Sequence, residues 1–149
     1  MSHFASGVTI MTTTAAGRMH GMTVSAFASQ SLDPLLILVS VERSTTMHTL
    51  VMESRAFAIN ILGEQAEGTA RFFADNARLG GPEFEEGAYH LGLSGSPILE
   101  EATAYLEATL DRTLEAGDHT IMVGRVIALQ VVRDTAPLIY YRSGYRGLA

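Results

Sequence analysis

The residues able to do chemistry in this chain fall in a few short stretches. Thr23-Val24-Ser25-Ala26-Phe27-Ala28-Ser29-Gln30-Ser31 mixes small side chains with hydroxyls. Small side chains let a flat ligand approach the backbone, and hydroxyls with free amides can hold the polar edge of a heterocycle. The plain alternative is a solvated strand with its Thr and Ser outward. Arg43-Ser44-Thr45-Thr46 has the form of a helix start, with Ser44 the expected N-cap, because a serine oxygen accepts a free backbone N–H. Such a start aims unpaired N–H groups and the positive end of the helix dipole at an anion, and the adjacent arginine adds a bidentate donor. A phosphate would suit it; an ordinary capped helix beside a surface arginine is the alternative. Gly117-Asp118-His119 falls at a turn. A turn histidine is either plain surface or, beside a bound ring, a donor that orients it. Tyr140, Tyr141, Tyr145 and Arg146 lie close together near the end, as packing or as a stacking surface.

Other chemistries find no support. The chain has no Gly-x-Gly-x-x-Gly, no phosphate-binding Gly-x-x-x-x-Gly-Lys and no Gly-x-Ser-x-Gly, so neither a Rossmann site nor a serine-hydrolase elbow is expected. His3, His20, His48, His90 and His119 lack metal-ligand spacing, and there is no cysteine, which excludes disulfides, thiolate metal sites and a cysteine nucleophile. No metal site is expected. The net charge of −6, without a basic run, argues against nucleic acid and anionic membranes. The longest apolar run, Leu35 to Val39, is far too short to span a bilayer. Met1-Ser2-His3-Phe4 does not begin a signal peptide. A cytoplasmic protein is expected.

The elements that must position these residues are mostly strands. With 149 residues, nearly half of them apolar, one domain over residues 1–149 is expected, burying about 70% of its unfolded surface. Val8 to Thr14 suits a strand, Ala15-Ala16-Gly17-Arg18 a turn, and Asp33-Pro34 punctuates before Leu35 to Val41, which reads as a strand buried on both faces. After the helix start, Met47, Leu50, Val51 and Ser54 share a face. Phe57 to Leu62 is a further strand, Glu64 to Ala74 a helix with Ala66, Ala70 and Phe73 on one side, and Asn76 to Gly87 a surface loop. Ala104 to Leu114 alternates with period two, broken at Arg112. A turn at Glu115-Ala116-Gly117-Asp118 leads into a long strand, Thr120 to Val132, apolar on both faces and therefore covered on both. Pro137 to Tyr141 adds a last strand. Many antiparallel strands with few helices suggest a barrel, which removes exposed edges.

The order of the motifs is more specific than any one of them. Phe4-Ala5-Ser6-Gly7-Val8-Thr9, His20-Gly21-Met22-Thr23-Val24-Ser25-Ala26-Phe27, Ser31-Leu32-Asp33-Pro34, Phe57-Ala58-Ile59-Asn60-Ile61-Leu62, Ala70-Arg71-Phe72-Phe73-Ala74, Gly117-Asp118-His119 and Tyr140-Tyr141-Arg142-Ser143-Gly144-Tyr145-Arg146 resemble, across nearly the whole chain, the flavin reductase-like family, the small reductase components of two-component flavin monooxygenases. The helix that usually precedes the first motif is almost absent. The resemblance implies a mainly β fold, a split β-barrel with Greek-key layout and a few flanking helices, dimerising with flavin near the interface. It implies reduction of FMN or FAD by NADH or NADPH, with a flavin-dependent monooxygenase as possible partner. Carried onto this sequence, Thr23, Val24, Ser25, Ala26, Ser29, Gln30 and Ser31 would line the ring and ribityl chain, continued by Val41 and Glu42. Arg43, Ser44 and Thr45 would sit near the phosphate. His119, the one candidate catalytic residue, would bind or orient nicotinamide near the flavin, and Tyr145 and Arg146 would close the site. A flavin-binding electron carrier without turnover, a reductase or oxidase using another acceptor, and a structural barrel that mediates protein association remain as alternatives.

Overall fold

A computed structural model describes all residues from Met1 to Ala149. In chain order the strands and helices are β1 Ser6–Gly7, β2 Thr9–Ala15, β3 Arg18–Val24, β4 Phe27–Leu32, β5 Leu35–Glu42, α1 Thr46–Ser54, β6 Ala56–Ile61, α2 Glu67–Ala74, β7 Tyr89–Leu91, β8 Pro97–Leu99, β9 Ala104–Ala116, β10 His119–Val131, β11 Ile139–Tyr141 and β12 Gly144–Arg146. Short 3-10 turns occupy Glu64–Ala66 and Asn76–Gly80. The fold is mainly β, as expected. No helix is long and apolar enough to cross a membrane.

Seven strands form one antiparallel sheet in the order β3-β2-β6-β9-β10-β5-β4. Its two edges, β3 and β4, are consecutive in sequence and joined only by Ser25 and Ala26. Three backbone steps span at most about 11 Å, so the sheet must roll until its edges nearly meet. They do not pair with each other. The result is a rolled sheet with one open seam, and Ser25-Ala26 bridges it.

Burial follows the period of two. On β5, Ile37, Val39 and Val41 are 1% exposed or less. Leu36, Leu38 and Ser40 face the other way and are only half-buried, so this strand is covered fully on one face, not on both as expected. The inward residues join Met11, Phe57, Ile59, Ala108 and Met122 in the main core. Helix α1 adds Met47 and Val51 to it, both fully buried, each contributing about 1.5–3 kcal/mol. A second core lies between β2 and α2, from Ile10, Leu62, Ala70 and Phe73 to Leu138. Gly124 is needed on β10 because a Cβ there would lie 2.7 Å from the Phe57 ring and 2.8 Å from Ala108 Cβ.

The break in alternation at Arg112 has a structural cause. Val123 pairs with Arg112, but the next residue, Gly124, pairs with Leu110. Asp111 is therefore an extra residue, a bulge that shifts the phase of β9. Three further expectations are corrected. The helix cap is Thr45, not Ser44: its hydroxyl accepts from His48 N at 3.2 Å. Arg43 N is held by Asp118 O at 2.9 Å and Thr45 N by Glu42 O at 3.2 Å, so Ser44 is spent inside a turn and the helix starts one residue later. The stretch 76–87 is not simply a surface loop, because Arg78 is buried. And Ile139–Tyr141 is not the last strand, since the chain turns back and β12 pairs with it.

Candidate functional site

A groove of about 670 Å³ lies against the outer face of the rolled sheet, beside the seam. Ser25, Ala26 and Ala28 form one wall, Leu38, Ser40 and Ile121 the floor, and Phe4, Ser6 and Tyr140 the opposite side. The β3–β4 connection is fixed by two carbonyl contacts: Phe27 N donates to Ser25 O at 3.0 Å and Ser40 N to Ala26 O at 3.0 Å. The amides of Ser25 and Ala26, by contrast, donate to no acceptor within the chain. Both residues are exposed. An apolar slot of ligand size with a few convergent polar groups is the usual form of a small-molecule site.

The end of this groove leads to the second stretch. Ser40 faces outward on β5, and Glu42 follows at the same phase, opposite His119 of β10. His119 stands one alternation along from Ile121 on the same face of β10. Its Nδ1 lies 2.7 Å from Asp118 Oδ1. Hydrogen bonding to His119, then its charge, holds the Asp118 carboxyl below the usual carboxylate range. Gly117, at φ +65°, gives the left-handed turn that places this pair at the strand start. Arg43 follows Glu42, with its guanidinium exposed and only loosely paired to Glu115 at 3.8 Å. Ser44 Oγ donates to the Glu42 carboxylate at 3.2 Å, and Thr45 Oγ1 to Glu42 O at 2.7 Å. Both hydroxyls are thus already engaged, and what this corner offers an anion is the Arg43 guanidinium and the first amides of α1.

The expected site residues divide into those brought together and those not. Ser25 and Ala26 line the groove; Glu42, Arg43, Ser44, Thr45 and His119 gather with one another one strand alternation beyond Ser40 and Ile121, outside the groove lining. Val24 and Val41 are buried in the main core, so their side chains line nothing. Thr23 Oγ1 donates to Ala70 O of α2 at 2.7 Å and ties strand to helix. Ser29, Gln30 and Ser31 lie farther along β4, opposite Ile37 and Leu36, with Gln30 as a bulge, outside the groove lining. Tyr145 packs against Tyr140 with centroids 5.4 Å apart and rings tilted by 60°, and carries the Arg71 guanidinium 5.0 Å above its ring; burial pushes its phenol above the ordinary value. It supports a groove residue and is not itself in the lining. Arg146 turns back on Tyr145 O at 2.9 Å. Sequence reasoning missed Leu38, Ser40 and Ile121. The signal was available in β5, where Ser40 is out of phase with Ile37, Val39 and Val41.

The donor set fits a flavin. A flat apolar ring suits the Leu38, Ile121 and Tyr140 surfaces, and its polar edge needs donors such as the two free amides. Comparison with known proteins points the same way. Residues 1–149 match the model of the flavin reductase like domain. A flavin reductase from Pseudomonas putida is 37% identical over 133 residues, 89% of this chain and 76% of that protein. An NADH-dependent flavin reductase from Rhodococcus sp is 38% identical over 151 residues, 99% of this chain and 82% of that one. Among solved structures, the flavin reductase component of a bacterial two-component tryptophan halogenase has a TM-score of 0.92 at 34% identity, covering 99% of this chain and 92% of the other. A Streptomyces globisporus NADH:FAD oxidoreductase in complex with NAD and FAD fragments has a TM-score of 0.92 at 33% identity, covering 99% and 88%. By sequence over residues 1–149 and by fold, this chain belongs to the flavin reductase-like family of oxidoreductases.

Proposed function

We propose that this chain oxidises NADH or NADPH and reduces FMN or FAD in the groove beside the seam, and that a flavin-dependent monooxygenase consumes the reduced flavin. The observation that carries this reading is the pair of unbonded amides, Ser25 N and Ala26 N, in the wall of an apolar groove of ligand size. The two cofactors supply the hydride chemistry when bound. The chain's part is to bind and orient. The Ser25 and Ala26 amides face the negative charge that builds on the ring as it is reduced, where fixed donors count most. Tyr140, braced by Tyr145, and Ile121 hold the ring faces. Arg43 and the start of α1 attract the phosphate. His119, held by Asp118, orients the nicotinamide and transfers no proton.

In this reading residues 1–149 act as one domain, in a homodimer that buries the outer face of the sheet. Leu36, Leu38 and Ile121 are only half-buried on that face, and Leu114 is 50% exposed. The test is oxidation of NADH with and without added FMN, followed by absorbance, with sedimentation for the dimer. Turnover that requires added flavin is the expected result. FMN binding without NADH oxidation would make the chain an electron carrier, and no uptake of FMN or FAD at micromolar levels would remove the groove from consideration.

A further inference from the structure

A second cavity, of about 460 Å³, lies on the far side of α2 and shares no lining residue with the flavin groove. Its walls are Gly68, Thr69, Phe72 and Phe73 of α2, residues 82–85 and 88 of the following segment, and residues 99–101. The floor is aromatic: Phe73 and Phe84 lie 5.4 Å apart, and Phe72 meets Phe73 edge-on at 5.0 Å. The rim is acidic. Glu85, Glu100 and Glu101 line it, and no arginine or histidine does. Glu83, the fourth carboxylate, is already engaged: its charge is paired with Arg78, whose Nε lies 3.3 Å away, and its other oxygen lies 2.9 Å from His20 Nδ1. Glu101 accepts only the Thr69 hydroxyl, at 2.6 Å. Glu85 has no side-chain partner, and Glu100 meets His90 at 2.6 Å. The nearby Arg133 guanidinium is bound to Glu100 O.

Gly68 lines the cavity from α2. It is exposed, and a Cβ there would meet nothing within 4 Å, so the helix can carry a long side chain at this position, projecting over the cavity it lines.

We propose that the cavity binds a small organic cation with a flat apolar body, an aryl-alkyl ammonium. The rings take the apolar body, the Phe73 face already carrying the Arg78 guanidinium at 6.0 Å, and Glu101 and Glu85 take the ammonium. The site is separate from the proposed flavin groove. The test titrates the intact protein with 2-phenylethylammonium, with 2-phenylethanol as neutral counterpart, by calorimetry at pH 7.5. Saturable binding of one ammonium is expected, with the alcohol about tenfold weaker, a ratio equal to ~1.4 kcal/mol. Gly68→Leu should abolish binding while leaving NADH–flavin turnover unchanged, and Glu101→Gln should weaken only the ammonium. Absence of saturable binding, equal binding of the alcohol, or binding untouched by Gly68→Leu would each overturn the proposal. A failure of flavin turnover in the unsubstituted protein would instead count against the flavin reading and leave this titration standing on its own.

Discussion

Ala26→Pro tests the flavin site at one atom. Proline removes the Ala26 N–H, which bonds to nothing in the chain, so no protein hydrogen bond is lost. Ala26 O, which holds Ser40 N at 3.0 Å, is retained. Proline also disfavours helical backbone at the residue before it, and Ser25 lies outside any helix. A lost hydrogen bond to the neutral oxidised ring should cost about 0.5–1.5 kcal/mol, and one to the charged reduced ring about 1.5–3 kcal/mol. Affinity for oxidised FMN should therefore fall about two- to tenfold. The reduced form should lose about 1–1.5 kcal/mol more, which lowers the two-electron potential of bound FMN by roughly 20–30 mV. Fluorescence titration gives the first quantity and a dye-coupled redox titration the second. Ala26→Gly keeps the N–H and should leave the potential in place. If Ala26→Pro folds with an unchanged thermal midpoint and binds FMN with unchanged affinity and potential, the amide does not face the ring and the assignment fails.

Thr23→Val should remove about 1 kcal/mol of stability, because the hydroxyl bond that ties β3 to Ala70 O of α2 is lost, while FMN affinity stays the same; urea unfolding and a flavin titration check the two halves. His119→Ala should raise KM for NADH with less change in flavin affinity, measured by steady-state kinetics at saturating FMN. Arg43→Ala should weaken FMN more than riboflavin, which lacks the phosphate, and the difference should shrink as salt is raised. The fourth concerns His20, whose pKa burial pushes below the ordinary 6.5 despite the neighbouring Glu83. Below that value the unfolded chain takes up a proton that the folded chain resists, so stability should fall as pH drops under about 6.5. Urea midpoints across this range should show the slope, and His20→Asn should flatten it; an unchanged slope would place its origin elsewhere.

What could be read from the sequence was what depends on neighbours a few residues apart. The strands Thr9–Ala15, Leu35–Glu42, Ala56–Ile61, Ala104–Ala116 and His119–Val131 fall close to where alternation and turn residues put them. Long-range contacts decided the rest. Nothing near Thr23 in the sequence shows that its hydroxyl is taken by Ala70 O of a helix 47 residues away. Ser44 is the better cap by propensity, but Asp118 O holds Arg43 N and Glu42 O holds Thr45 N, so the turn runs one residue further and the cap falls on Thr45. The stretch 76–87 is polar enough for a loop, yet Arg78 bonds Gly21 O at 2.7 Å and Glu83 meets Gly21 N at 3.3 Å. Those are the backbone groups that the free edge of β3 would otherwise expose, so the Arg78 and Glu83 side chains are buried because they cover a strand edge, while most of the segment stays on the surface.

The same edge problem explains the groove. A sheet whose two edge strands are joined by two residues has to roll, and those two residues lie outside both strands. Their carbonyls are bonded, Ser25 O by Phe27 N and Ala26 O by Ser40 N of β5, while their amides are not. The seam thus leaves two adjacent donors unbonded beside Leu38 and Ile121, which belong to the outer face of the sheet and cannot be covered by its own core. Uncovered apolar surface is a cost in the isolated chain, and the two exposed amides are left to water. A flat ring with acceptors along one edge relieves both at once, which is why the groove belongs to the topology itself and needs few distinctive side chains to form.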